Sequence, residues 1–337
     1  MTRKLRSLIA FNPGNRPDLL SDGQIEALAG MTDLLRRAPV LDWRDPAIQP
    51  LLHRTEILVT GWGAPKIDAV LLDAMPKLGL IAHLAGSVKA MLDPAIWRRG
   101  IAVVNAVAGN AVPVAEFTLA AILFANKQVF RLNRVYRERR AMAKPWSKLA
   151  PGLGNYRKVV GIIGASRVGR RVIALLRPFD FTVLLADPYV AAEDARQLGV
   201  EPVPLDELLA RSDVVSLHAP STPATRTLID RRHLALMRDG TVFINTARGA
   251  LVDQDALIEA TRSGRLDAII DVTEPDELPP DSPLYDIPNV FLTPHIAGAQ
   301  GRETERMVEL VFAEIERYLR GNALQHRVEA VDLERLA

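Results

Sequence analysis

From Lys158 onward one pattern repeats: a short apolar run, a polar or glycine-bearing end, then a helical stretch. Residues 159–163 run into a glycine turn, 182–186 end at Asp187, and 214–217 end at His218-Ala219-Pro220. Residues 242–244 lead to Arg248, 268–270 end at Asp271, and 290–292 lead to His295. Helical stretches at 170–176, 205–210 and 253–263 fill gaps between the runs. Strands that alternate with helices form a parallel sheet covered on both faces. The pattern therefore predicts a doubly wound α/β unit. Ligands of such sheets sit beyond the carboxyl ends of the strands, so the run ends are where chemistry is expected.

The first hundred residues repeat the theme more loosely, with candidate strands at 8–11, 57–60, 81–84 and 102–105. At 337 residues the chain exceeds the usual single domain, and two domains are expected. Between the two patterns, residues 113–140 read as one long helix started by Pro113, with a basic far end taken as a solvated face or a subunit contact. Residues 303–320 read as a further helix with Met307, Leu310, Val311, Ile315 and Leu319 on one face.

Composition narrows the class. Lys plus Arg number 42 against 40 for Asp plus Glu, which gives no electrostatic footprint for nucleic acid. The absence of cysteine excludes disulfides, thiolate chemistry and Cys-ligated metals. The apolar run at 8–11 is too short for a signal segment, and no run of about 18 apolar residues is read as a membrane span. A cytoplasmic enzyme is the expectation, with no nucleic acid and no membrane as partner.

Gly161-Ile162-Ile163-Gly164-Ala165-Ser166-Arg167-Val168-Gly169 follows an apolar run and opens a helix. That is the context of a dinucleotide fingerprint, in which glycines allow a tight turn, close approach to the pyrophosphate, and packing of helix on strand. Gly164 and Gly169 hold the first and third places, while Ser166 holds the second. Asp187 stands 23 residues after Gly164, near the spacing of a carboxylate that holds the ribose hydroxyls. A carboxylate there repels a 2′-phosphate, so NAD is expected over NADP. Ser166 is compatible with phosphate binding, because a small side chain can turn away while the helix N-terminus meets the anion.

Arg248 and His295 suit one substrate. A guanidinium forks onto a carboxylate, and an imidazole exchanges protons near neutrality. The acidic stretch Asp271-Val272-Thr273-Glu274-Pro275-Asp276-Glu277 lies at a neighbouring run end. A carboxylate beside an imidazole orients it and favours its protonated form. Together with a nicotinamide hydride these groups can reduce a 2-oxo acid.

These residues resemble the NAD-dependent D-isomer-specific 2-hydroxyacid dehydrogenases. The likeness spans about residues 80 to 320 and is strongest in Met237-Arg238-Asp239-Gly240-Thr241-Val242-Phe243-Ile244-Asn245-Thr246-Ala247-Arg248-Gly249-Ala250-Leu251-Val252-Asp253. Ser216-Leu217-His218-Ala219-Pro220-Ser221-Thr222-Pro223 and Leu292-Thr293-Pro294-His295-Ile296-Ala297-Gly298 also match. The resemblance implies Arg248 as the substrate-binding arginine and His295 as acid/base. It places Asp271 near the nicotinamide carboxamide and Ala219, Pro220, Thr225, Thr246 and Ala247 along the cofactor. With the turn residues Gly164, Ser166, Arg167, Val168 and Gly169, with Asp187, and with Gly298, these make up the expected NAD site. It further implies a Rossmann NAD-binding domain, residues 113–298, inserted in a flavodoxin-like substrate domain made of 1–112 and 299–337, and a homodimer.

Three positions depart from the family pattern. Ser166 is one. Where the family generally has Glu five residues after the aspartate matching Asp271, this chain has Asp276, flanked by Glu274 and Glu277; Asp276 is taken as the catalytic carboxylate. The substrate-carboxylate loop reads Ala85-Gly86-Ser87-Val88-Lys89-Ala90, apparently one residue short, with Gly86, Ser87 and Val88 as the expected substrate contacts. Two rivals stand beside the dehydrogenase reading. One is a phosphoglycerate-type enzyme, against which the lack of a further domain after residue 330 is weighed. The other is an NADH-sensing, corepressor-like interaction protein of the same fold.

Overall fold

The computed structural model describes residues 3–141 and 152–331. The chain divides into two compact units, Met1–Asn110 with Ala299–Leu336, and Ala111–Gly298.

The first unit holds five parallel strands: β1 (Arg6–Ala10), β2 (Asp33–Leu34), β3 (Ile57–Thr60), β4 (Leu80–His83) and β5 (Ala102–Asn105). Their order, β2-β1-β3-β4-β5, is that of flavodoxin-like sheets. Successive side chains of a strand face opposite ways, and the burial follows. Leu8, Leu58, Ile81 and Val103 join one apolar cluster with Leu72 and Ile96, while Ile9, Val59, Leu80 and Val104 join the other. The second cluster is closed by Met307, Val308, Val311 and Ile315 from the helix Glu303–Leu319. Leu310 and Leu319 are only partly buried against it.

The second unit holds seven parallel strands: β6 (Val159–Ile163), β7 (Thr182–Ala186), β8 (Glu201–Pro202), β9 (Val214–Leu217), β10 (Val242–Asn245), β11 (Asp267–Ile270) and β12 (Val290–Leu292). The order β12-β11-β10-β9-β6-β7-β8 reverses between β6 and β9, the place where doubly wound sheets bind dinucleotides. Val160, Ile162, Val214 and Ile244 pack under one helical layer; Ile163, Val215, Leu217 and Phe243 pack under the other. Burial on both faces is why these strands read as continuous apolar runs instead of alternating ones.

One expectation needs correction. Residues 113–140 are not one helix started by Pro113. A helix Val107–Asn126 contains Pro113, and a second, Val129–Arg139, follows a break at Gln128, whose φ of 47° is left-handed. Asn110 Oδ1, which accepts from Ala299 N at 2.8 Å, lies in the turn before Pro113. The same helix bears on the expectation about membrane spans. By length and composition alone Val107–Asn126 could cross a membrane, and half of that window is buried in the fold.

Candidate active site

The turn after β6 is shaped by two close approaches. Gly164 has φ +91°, and a Cβ added there would stand 2.7 Å from the backbone of Ala219 at the end of β9. A Cβ on Gly169 would stand 2.1 Å from the Gly164 carbonyl oxygen. Glycine at both places lets the helix Arg167–Leu176 start hard against the sheet, with its N-terminal amides at the switch point. Ser166 is the N-cap of that helix, its Oγ accepting from Gly169 N at 3.3 Å. The side chain in the second-glycine place is thus folded onto its own helix end, and Arg167 and Val168 form the first turn. Asp187 ends β7 and braces the loop, with Oδ2 accepting from Ala165 N at 2.7 Å and Oδ1 from Tyr189 N at 2.8 Å. A short glycine turn, a helix N-terminus and an acidic strand end fit a dinucleotide pyrophosphate and ribose.

Further along the same sheet edge, Thr225 Oγ1 donates to Pro220 O at 2.6 Å and folds the loop that follows Ala219. Thr246 is buried, its hydroxyl 3.1 Å from that of Thr118. His218 is buried too. Its Nε2 lies 2.9 Å from Ser216 Oγ, its Nδ1 has no partner, and burial pushes its pKa down to about 3. It is therefore neutral near pH 7.

Arg248, Asp271 and His295 follow three adjacent strands, β10, β11 and β12. Asn245 builds the first of these strand ends. Its Nδ2 donates to Arg248 O at 2.9 Å and its Oδ1 accepts from Ala247 N at 3.0 Å. The half-buried Arg248 guanidinium donates to Ala247 O at 2.6 Å. Burial holds its pKa below the usual value, and the charge of Asp276 opposes the fall; it remains cationic at any pH the fold meets.

His295 sits in the left-handed region at φ 55°, unusual for a side-chain-bearing residue. Asp271 over-determines that loop. Its buried carboxylate accepts from Thr293 Oγ1 at 2.6 Å, Ile296 N at 2.8 Å and Ala297 N at 3.0 Å, and its carbonyl accepts from His295 N at 3.0 Å. Asp271 thus anchors the histidine loop from Thr293 to Ala297.

His295 Nδ1 lies 3.0 Å from both Oδ1 and Oδ2 of Asp276. The shorter acid reaches the imidazole. Of its neighbours, Glu274 lies 3.9 Å from Arg226 across an exposed ion pair.

In the first unit, Gly86, Ser87 and Val88 follow β4. Ser87 is exposed, whereas the Val88 side chain is buried in the core. Sequence reading missed Gln254, Thr273 and the close approach of Gly249, which shape the acidic loop.

Residues 119–297 match the family model for the D-isomer specific 2-hydroxyacid dehydrogenase NAD binding domain. A glyoxylate reductase of Korarchaeum cryptofilum is 34% identical over 256 residues, covering 76% of this chain and 77% of that protein. The chain belongs to the D-isomer-specific 2-hydroxyacid dehydrogenase family. It is also 38% identical over 247 residues to a D-3-phosphoglycerate dehydrogenase of Mycobacterium leprae, a match of 72% of this chain but 45% of that protein. The chain thus spans about half the length of the phosphoglycerate dehydrogenases it matches. Among solved structures, a Thermus thermophilus protein superposes with TM-score 0.76 at 31% identity, covering 96% of this chain and all of that one. A phosphoglycerate oxidoreductase of Rhizobium etli shares the fold, with TM-score 0.81 at 24% identity over 97% of this chain and 98% of that one. The residues matched by the NAD binding domain model lie within the second unit.

Proposed function

We propose that this protein is an NAD-dependent D-2-hydroxyacid dehydrogenase. The observation that carries the reading is the His295–Asp276 pair, in which His295 follows the strand next to that of Asp271 and two strands from that of Arg248. Bound NADH supplies the hydride. Gly164, Ser166, Arg167, Val168 and Gly169 cradle the pyrophosphate, Asp187 meets the ribose, and Ala219, Pro220, Thr225, Thr246, Ala247, Asp271 and Gly298 line the rest.

Arg248 grips the substrate carboxylate and polarises the 2-oxo group. Asp276 occupies Nδ1 of His295, which leaves Nε2 to pass its proton to the carbonyl oxygen as the carbonyl carbon is reduced. In the reverse direction Nε2 takes the hydroxyl proton. Backbone amides of Gly86, Ser87 and Val88 serve as carboxylate donors in this reading. A cytoplasmic homodimer, free of nucleic acid and membrane, belongs to it as well; light scattering on the purified chain tests the dimer.

The relatives named for glyoxylate and for D-3-phosphoglycerate define the assay. The chain is mixed with NADH and a panel of 2-oxo acids that includes glyoxylate and the 2-oxo form of 3-phosphoglycerate, and loss of nicotinamide absorbance is followed. Consumption with at least one acid is expected. NADH binding without consumption of any would replace the enzyme with a nucleotide sensor.

A further inference from the structure

Asp276 lies on a segment with no helix or strand of its own, and its side chain is 66% exposed. An exposed aspartate on such a loop has rotamers and backbone freedom to lose before it can face one ring nitrogen. Both its oxygens nonetheless stand 3.0 Å from His295 Nδ1. The order comes from the preceding residues. Gln254 Nε2 donates to Glu274 O at 3.0 Å, and Glu274 N donates to Gln254 Oε1 at 3.1 Å. A carboxamide carries both a donor and an acceptor, so one side chain closes both backbone groups of one residue. Thr273 Oγ1 lies 2.8 Å from Pro275 O and 3.1 Å from Asp276 O. Gly249 lets the loop come close, since a Cβ there would stand 2.0 Å from the Thr273 carbonyl carbon.

Gln254 is itself well founded. It is the first residue of the helix Gln254–Arg262, capped by Asp253 through Ala256 N at 3.0 Å, and Ala256 and Leu257 fix that helix in the core. The two partners are 20 residues apart in the chain, so the clamp joins the end of the Arg248 turn to the acidic loop.

We propose that Gln254 is a positioning residue: by clamping the Glu274 backbone it keeps the short Asp276 side chain in register with His295. The proposal rests on the reading of His295 as acid/base only for its kinetic consequence; the clamp itself is tested without turnover.

The full chain is made with 15N-labelled histidine, and the His295 Nδ1 resonance is assigned by its loss in His295→Ala. Asp276→Asn, Gln254→Leu and Gln254→Glu are then compared with the parent. Leu removes both hydrogen bonds at similar size. Glu keeps an acceptor for Glu274 N but sets a carboxylate against the Glu274 carbonyl, and it serves if the Leu variant does not fold. The Nδ1 resonance of the Gln254 variants should move toward that of Asp276→Asn. A resonance that stays at the parent position in a folded variant overturns the proposal, whether or not any acid is turned over.

With a turned-over acid, Gln254→Leu should lower kcat about tenfold, less than the roughly hundredfold that a 1 Å misplacement can cost, with NADH affinity within about twofold. On the Asp276→Asn background the same change should cost almost nothing, because two residues acting through one contact are not additive. Equal losses on both backgrounds would make Gln254 a general structural residue and overturn the proposal. Absence of turnover with an intact resonance shift would leave the clamp standing and remove the dehydrogenase reading instead.

Discussion

The two units are built alike and differ in what their strand ends carry. Each has a parallel sheet packed on both faces, and each closes its carboxyl edge with a buried histidine beside a hydroxyl: His83 2.9 Å from Thr60 Oγ1, His218 2.9 Å from Ser216 Oγ. Burial pushes their pKa values down to about 4 and about 3. In the five-stranded unit Thr60, His83 and Asn105 stand side by side on β3, β4 and β5, all buried. The seven-stranded unit adds loops beyond its strand ends, and there a third histidine, His295, stands half-exposed with a carboxylate partner. A histidine at a sheet edge is thus no mark of chemistry by itself. Access to solvent and a charged partner separate His295, the proposed acid/base, from the two that belong to the core.

The contrast breaks most visibly in kinetics. His295→Ala should lower kcat by about 10² or more, the scale of a lost general acid, whereas His83→Gln should leave it within a few-fold. Near-normal kcat for the first, measured by NADH consumption, would remove His295 from the mechanism.

The buried histidines should show instead in stability against pH. His83 takes up a proton near pH 6.5 when unfolded but only near 4 when folded. Between those values the unfolded chain binds more protons, so stability is complete above about 6.5 and falls as pH drops toward 4. The loss is roughly 3 kcal/mol for this one group. Urea unfolding followed by tryptophan fluorescence, to which Trp43, Trp62 and Trp97 of the first unit contribute, should show it; Trp146 is outside the described residues. His83→Gln should flatten the dependence, and an unchanged slope would mean that His83 is not the group responsible.

Smaller effects sharpen the picture of the His295 edge. Asp276→Asn should cost about tenfold or more in kcat, while Glu274→Gln and Glu277→Gln should cost little. If either Glu variant is the impaired one, the carboxylate assignment moves to it. Smallest of all is Ser166→Gly. Replacing an N-cap serine by glycine costs only a few tenths of a kcal/mol, and NADH affinity by titration should stay within about twofold. A large fall would mean that the hydroxyl contacts the cofactor as well as capping its helix.

The fold class and most strands were legible because strands buried on two faces must be short and apolar throughout, and a parallel sheet needs a helix between strands. The glycine turn was legible from Gly164, Gly169 and Asp187, since their spacing follows from the length of one strand–helix–strand unit. Pro113 misled, because a proline suits a helix start by local rules while this helix had already begun six residues earlier, at Val107. Gln254 left no trace in the sequence. A glutamine at the first position of a helix looks like any solvated residue, and its partner is the backbone of Glu274, which has no residue-type signature.

What the sequence determined by itself is the set of chemical groups and the strand each one follows: Arg248 after β10, the acids after β11, His295 after β12. Those are local matters of run length and turn chemistry. Which of three acids meets the histidine was decided only in the tertiary structure. The answer depends on Gly249 admitting the loop, Gln254 clamping it and Asp271 fixing the opposite strand end, and those contacts exist only once distant segments are packed together.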